Sequence, residues 1–441
     1  PQLPPASAAA PFAPLGLEVD ISTVEAVCIG TGRFLRAVLV PALVESGCEV
    51  VLAQTRGSSF VEHMARRQPS RTYEVDSVLQ DGRVLTNSHP VAAVGSLGDA
   101  CGRAAFMELP KRMKRLRYIG LGLTEAGITH NGRSIVDLAE FLHGCFAAGL
   151  GAAGAPLSVI NTDNMPFNGD AVRQHVGACD FTWVGPNGRQ RASAGFSAWL
   201  EQSVVFHNSM VDRITSHREA DTDVPRAEPL PCKALVIEDL RCALPAQLGS
   251  VAGVAVRTQP GQLYVDAQLK LRVANGIHTA MVYVMALSGL RKTDGCIGHP
   301  LLLPYIEQLF ERDVVAACAE LGISRLQISP VFAEWLQRLQ HPHFGLECLF
   351  VCQNTCQKLG IRLMPSVLAT LAQGDAPSDF MAFALAAALR FLVPMGEQPR
   401  SAEHPPVFTG RCCPPSPPPP ASTPTAKRKR GVTEAARDPS A

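Results

Sequence analysis

The sequence predicts an α/β fold: a parallel sheet covered by helices, followed by a second, all-α domain. Two patterns predict it. Up to about residue 260, short apolar runs alternate with helical stretches. Beyond it the apolar spacing is helical throughout, as in "LKLRVANGIHTAMVYVMALSGL" and "LLLPYIEQLFERDVVAACAELG". With 441 residues, 46% hydrophobic and 18% charged, the chain can bury a large core in two or three domains.

The first unit, "VEAVCIGTGRFLRAVLVPALVESGCEVVLAQ", reads as strand, glycine turn, helix and strand. The helix is expected over about 33–45, and the second strand is "CEVVLAQ". "RLRYIGLGL" and "PLSVINT" follow as buried strands, separated by a helix in "SIVDLAEFLHGCFAAGL". Gly30 allows the tight turn after the first strand. Gly32 lets backbone approach a pyrophosphate resting on the next helix's N-terminus. Leu35 stands where the third glycine of G-x-G-x-x-G would stand. This part therefore reads as a Rossmann-like domain for NAD or NADP. No acidic residue ends the second strand, so Gln54 or Thr55 is left to accept the ribose hydroxyls. Arg56 could instead pair with a 2′-phosphate.

The domains are expected at 21–259 (dinucleotide-binding) and 260–396 (helical, substrate and catalytic). Pro/Ala-rich residues 1–20 and the proline-rich, basic tail at 397–441 are expected to be disordered.

A net charge of +1 gives no general case for nucleic acid or a membrane surface as partner. No apolar run reaches the roughly 18 residues that span a bilayer. The opening "PQLPPASAAAPFAPLG" lacks the basic start and long apolar stretch of a secretory signal. The 14 cysteines include no C-x-x-C pair, which fits a reducing, cytoplasmic setting and no structural zinc. Cys348, Cys352 and Cys356 would share a helix face, as buried apolar residues or as ligands for a soft metal.

In "KLRVANGIHTA" a lysine, an asparagine and a histidine stand among apolar residues. At about 100° per residue, with Lys270 at zero, His278 falls at roughly 80° and Asn275 at roughly 140°. All three can then face one pocket wall. The same spacing suits a snorkelling lysine, a cap asparagine and a core histidine.

Five segments in order resemble the polyol-specific long-chain dehydrogenases, the mannitol dehydrogenase family. They are "IGTGRFLRA", "LTEAGI", "NTDNMPFNGDAVR", "NSMVDRITS" and "KLRVANGIHTA", the last matching K-x-x-x-x-N-x-x-H. "QNTCQKLGIRLMPSV" is similar to a late segment of its hexuronate-reducing branch, which includes tagaturonate and mannonate reductases. The match runs from about 25 to 395.

The resemblance implies a metal-independent, NAD- or NADP-dependent oxidoreductase, a monomer interconverting a polyol or sugar acid and its keto form. Lys270 is then the general base, and its pKa must fall from about 10.4 for it to act at neutral pH. Asn164 and Asn275 donate hydrogen bonds to the developing oxyanion, and His278 orients substrate. Phe34, Arg36, Thr124 and Glu125 join Gly30 and Gly32 at the cofactor. Asp212 and Asn168 bind substrate hydroxyls, with Lys358 and Arg362 at its far end.

Each residue also has a plain structural role open to it: Asn164 and Asn168 as turn residues, Asp212 with Arg213 as a salt bridge, Glu125 as a helix cap. Two departures stand out. Ala267 and Gln268, with Asp266 further back, replace the carboxylate the family often has just before the lysine. The family's last helices also stop early. A different reading is a non-catalytic nucleotide-binding regulator, drawn to the nucleus by "AKRKRG".

Overall fold

The computed structural model describes Phe12 and residues 20–67, 70–123, 127–151, 154–179, 182–185, 188–191, 194–296 and 298–393. Six strands form the main sheet: β1 (Ala26–Ile29), β2 (Val50–Gln54), β3 (Ala93–Ser96), β4 (Tyr118–Leu121), β5 (Leu157–Asn161) and β6 (Val204–His207). All pair in parallel, in the order β6-β5-β4-β1-β2-β3. That is the doubly wound order, with its switch point between β1 and β4, where such sheets take ligands. Strands β1, β2 and β5 are buried at every position, as their continuous apolar runs require.

Three smaller sheets escaped the sequence reading, among them a two-stranded hairpin of Thr182–Gly185 with Gly188–Arg191. β7 (Ser209–Val211), β8 (Leu235–Glu238) and β9 (Val254–Arg257) form one. A four-stranded sheet joins Thr215–Arg218, Asp221–Ala227, Thr72–Val78 and Val84–Pro90. From Gln262 onward the described residues carry helices only, packed around buried Ile277, Tyr283, Ile306 and Phe391.

The tail at 397–441 lies outside the described residues, as does most of 1–20. Phe12 is described within that opening segment. Its ring is fully buried 5.6 Å from Phe106, and its N–H donates to the Val94 carbonyl.

The helix after β1 spans 33–45, as the spacing predicts, but Leu35–Leu39 form a wider π turn. Pro41 has no N–H for the carbonyl four residues back, at Ala37. Arg213 fills that vacancy, its Nη1 donating to Ala37 O at 2.6 Å. Its other nitrogens donate to Glu228 O and Ser77 Oγ, so Arg213 pins the turn's helix to the four-stranded sheet.

The two glycines of the turn differ. Gly30 has φ +114°, and a Cβ there would meet Gly122 backbone at 3.2 Å, so the crossing of β1 and β4 requires a glycine. A Cβ on Gly32 would meet only Gly122 O, at 3.9 Å. The fold leaves Gly32 open space, the room a pyrophosphate needs.

The helical domain is tied to the sheet domain through Arg338, on the helix Arg325–Leu339. It grips Asp212 with two hydrogen bonds of 2.9 and 3.1 Å, and Glu228 at 2.7 Å. Glu228 is 1% exposed, so its charge depends on that partner. Gly30→Ala should lower the urea midpoint, while Gly32→Ala should leave it and weaken dinucleotide binding. Equal effects on both readouts would refute this division. Arg338→Ala should cost about 3–5 kcal/mol, the scale for stranding a buried charge. An unchanged unfolding midpoint would contradict that role.

Candidate active site

Lys270 sits mid-way along one long helix, after Gln262–Leu269 and before Ile277–Leu287. The stretch between, Lys270–Gly276, is a π turn. Its hydrogen bonds reach five residues back rather than four, so the even 100° spacing does not hold across it. A second π turn, Leu359–Leu363, crosses at Gly276, where a Cβ would come within 3.2 Å of Arg362 O. Glycine lets the two backbones touch.

Lys270 is only 9% exposed. Its Nζ donates to Asn164 Oδ1 at 2.9 Å and to the Val211 carbonyl, with Asp212 Oδ1 3.8 Å away. Burial pushes the ammonium below its ordinary pKa; Asp212 resists, while Arg338 and Arg362 add to the fall.

Asn164 follows β5 in a turn where Met165 N–H donates to Asp163 Oδ1. Its Oδ1 accepts from both Lys270 and Val211 N–H (3.2 Å). That fixes the amide's orientation and leaves Nδ2 as a donor.

Lys270 is the wall between two cavities. The smaller, about 390 Å³, is also lined by Asn164, Asn275 and Tyr264. The larger, about 530 Å³, holds Asp212, Arg338, Trp335 and Asp266. Lys270 and Asn275 thus share a pocket. His278 lines neither cavity; its ring lies 6.3 Å from Trp335. Its Nε2 is buried without a hydrogen-bond partner. Burial, then Arg362, Lys358 and Arg338, push its pKa down to about 4, so the ring is neutral at pH 7.

The structure gives several expected site residues other surroundings. Asn168 is fully buried, its amide bonded to Ser209 and to the Asp163 carbonyl, so it braces the loop beneath Asn164 rather than facing a cavity. Asp212 pairs with Arg338, not Arg213; burial works to raise its carboxyl, but Lys270 and Arg338 hold it below its ordinary value. Arg36 lies buried under the glycine turn, its Nε on Thr31 O at 2.7 Å and its Nη1 on Asp223 O. Phe34 is exposed beside the turn. Thr124 and Glu125 lie outside the described residues.

Gln54 does not face outward either. Its Oε1 accepts from Phe60 and Val61 N–H, capping the helix Ser59–Arg66. Asp266 binds Lys233 and Arg257, each at 2.6 Å. The three cysteines do not gather: Asn354, at φ 57°, breaks the helix between them, and Cys356 is exposed while Cys348 and Cys352 are buried. Among the described residues one trio, His63, Asp221 and Asp223, is close enough to share a cation. No described helix is long and apolar enough to cross a membrane.

Lys358 and Arg362 line neither cavity, and both act on His278 electrostatically. Lys358 Nζ donates to Val351 O at 2.7 Å, and Arg362 Nη1 to Thr279 Oγ1 at 3.1 Å. Burial, then Arg362, lowers Lys358 to about 8. Sequence reasoning missed Arg338 and Glu228. Each looks like an ordinary surface polar residue, with no motif to single it out.

The mannitol dehydrogenase Rossmann domain matches residues 24–241, and the mannitol dehydrogenase C-terminal domain matches 265–406. An altronate oxidoreductase of Cronobacter sakazakii is 21% identical over 82% of this chain and 78% of its own. A mannitol 2-dehydrogenase of Cereibacter sphaeroides is 26% identical over 66% of this chain and 63% of its own. Among solved structures, a D-sorbitol dehydrogenase superposes with TM-score 0.68 at 18% identity, covering 84% of this chain and 81% of its own. The Pseudomonas fluorescens mannitol 2-dehydrogenase, solved with NAD and D-mannitol, gives 0.62 at 18% identity, covering 86% and 80%. The doubly wound sheet, the glycine turn at its switch point and both domain matches together make this chain a member of the mannitol dehydrogenase family of oxidoreductases.

Proposed function

We propose that this chain oxidises a secondary alcohol of a polyol or sugar acid to its ketone, and runs the reverse reduction, with Lys270 as general base. The observation that carries this is the burial of Lys270 against Asn164, at the carboxyl edge of the parallel sheet. A nicotinamide dinucleotide on the glycine turn supplies the hydride acceptor. The open space at Gly32 fits its pyrophosphate.

A neutral Lys270 accepts the hydroxyl proton as the C–H hydride leaves and the carbonyl forms. Asn164 Nδ2 and Asn275 stabilise charge on the same oxygen. Asp212, neighbour to both Lys270 and Arg338, keeps the resulting ammonium from being stranded. In this reading a protein amine takes the hydroxyl proton, a loss that a Lewis-acidic metal ion on the alcohol oxygen can promote elsewhere.

A sugar acid is favoured over a neutral polyol by one observation. Lys358 and Arg362 bond only to neutral oxygens, and no ion pair joins either of them among the described residues. Two half-buried cations side by side call for an anion.

Lys270→Ala should lower kcat about 10²–10⁴-fold, the usual worth of a general base. Wild-type oxidation should rise with pH through one group titrating below about 10.4, because only the neutral amine accepts a proton and burial stabilises that form. A variant with near-normal turnover, or a flat profile, would refute Lys270 as the base. Arg362→Ala should cut kcat/KM for a six-carbon sugar acid about 10–100-fold, the scale of a charged hydrogen bond. A matching hexitol should lose far less. Equal losses would count against a carboxylate at this end.

A further inference from the structure

β2 ends in Gln54 without a carboxylate, and the Gln54 amide is committed to a helix cap. The end of this strand is where a doubly wound sheet reads the adenosine ribose, normally with an acidic side chain. A carboxylate nevertheless reaches that corner, from a strand about 170 residues further along the chain. Asp223 lies in Asp221–Ala227 of the four-stranded sheet. Its Oδ1 accepts from Ser59 Oγ at 3.2 Å, and Ser59 Oγ in turn accepts from Gln54 Nε2 at 3.4 Å.

The same residue touches the phosphate turn. Its carbonyl accepts from Arg36 Nη1, and Arg36 Nε holds Thr31 O, between the two glycines, at 2.7 Å. Asp223 therefore bridges the two segments that flank an adenosine ribose, the turn after β1 and the end of β2.

We propose that Asp223 takes the place of the missing acidic residue, accepts the ribose 2′-hydroxyl, and selects NAD(H) against NADP(H). The charge around it supports this. Asp221 Oδ1 accepts from Asp223 N–H, and Asp221 Oδ2 lies 3.3 Å from His63 Nδ1, so a second carboxylate stands behind the first. A 2′-phosphate adds a charge of about −1.5 to −2. The nearest buried cation, Arg36, already donates to two backbone carbonyls and lies 4.6 Å over the Phe60 ring. Arg56, at the end of the strand, and Arg33, in the turn, are both exposed, and Arg33 Nη1 lies 3.4 Å from His217 Nδ1. Their solvated charges are screened, whereas the two carboxylates are partly sheltered.

This also accounts for the His63–Asp221–Asp223 trio without a metal. Arg36 supplies the positive charge beside the two carboxylates, and it opposes a second cation there.

The inference rests on the dinucleotide reading, and direct binding separates the two. NADH and NADPH are titrated into the full chain by nicotinamide fluorescence, with no substrate present. The wild type should bind NADH at least about tenfold more tightly, the effect of one like-charge contact near a surface. Asp223→Asn keeps a side-chain oxygen for Ser59 and leaves the carbonyl that holds Arg36. It should erase most of that preference, chiefly by tightening NADPH. Asp223→Ser should do the same if Asn perturbs the fold, with circular dichroism reporting folding. Equal affinities in the wild type, or an unchanged ratio in a folded variant, would overturn the role of Asp223. Failure to bind either dinucleotide would overturn the cofactor site itself.

Discussion

Lys270 is a buried amine, and the oxygens that hold it all come from the other domain. Val211 O, Asn164 Oδ1 and, further off, Asp212 belong to β7, the turn after β5, and the chain just past β7. The lysine itself stands on the helical side. Burial alone would make the amine neutral; the carboxylate beside it would keep it charged. A general base needs both forms within reach near neutral pH, so the opposition is the useful feature. On the proposed role of Lys270, the base would then exist only while the two domains are docked.

That docking combines a small apolar cluster, Met210, Val236 and Leu263, with buried charge pairs. Arg338 bonds to both Asp212 and Glu228, and Asp266 to both Lys233 and Arg257. Such pairs contribute little net stability against an apolar alternative, yet stranding any one member is expensive. They therefore fix one docked position more than they deepen it. Asp212 shows the consequence: it is both an anchor for Arg338 and the electrostatic neighbour of Lys270. A shift of the helix Arg325–Leu339 would change the lysine's environment without touching the lysine.

The parallel sheet was legible because its strands are buried on both faces and so read as unbroken apolar runs. The helix at 33–45 and the pairing of Lys270 with Asn275 across one cavity were legible for similar reasons. What was not legible depends on contacts between distant segments. The π turn at Lys270–Gly276 follows from the close crossing of Leu359–Leu363, which no local spacing reports, and His278 turns away from the cavities across it. Asn168 and Gln54 have the right chemistry for ligands, but backbone groups brought to them by the fold claim it first. The cysteines at 348, 352 and 356 keep helical spacing in sequence and lose it to one left-handed residue, Asn354.

The strand Asp221–Ala227 connects these parts. Asp223 near its start meets the glycine turn through Arg36 and the end of β2 through Ser59. Glu228, one residue past its end, grips Arg338 at the domain seam. Five residues of extended chain span about 17 Å, so one stiff element reaches from the corner beside the glycine turn to the charges beside Lys270. Arg213 fastens the same strand's end to the helix after β1, through Glu228 O and Ala37 O. The Pro41 defect in that helix withholds a donor from Ala37 O, so a missing backbone donor becomes the point where the glycine turn and the domain seam are joined. Strain at either end would be carried by hydrogen-bonded backbone rather than by flexible side chains. Pro41, Ala37, Arg213 and Glu228 therefore hold the glycine turn and the surroundings of Lys270 at a set distance, although none of them faces either cavity.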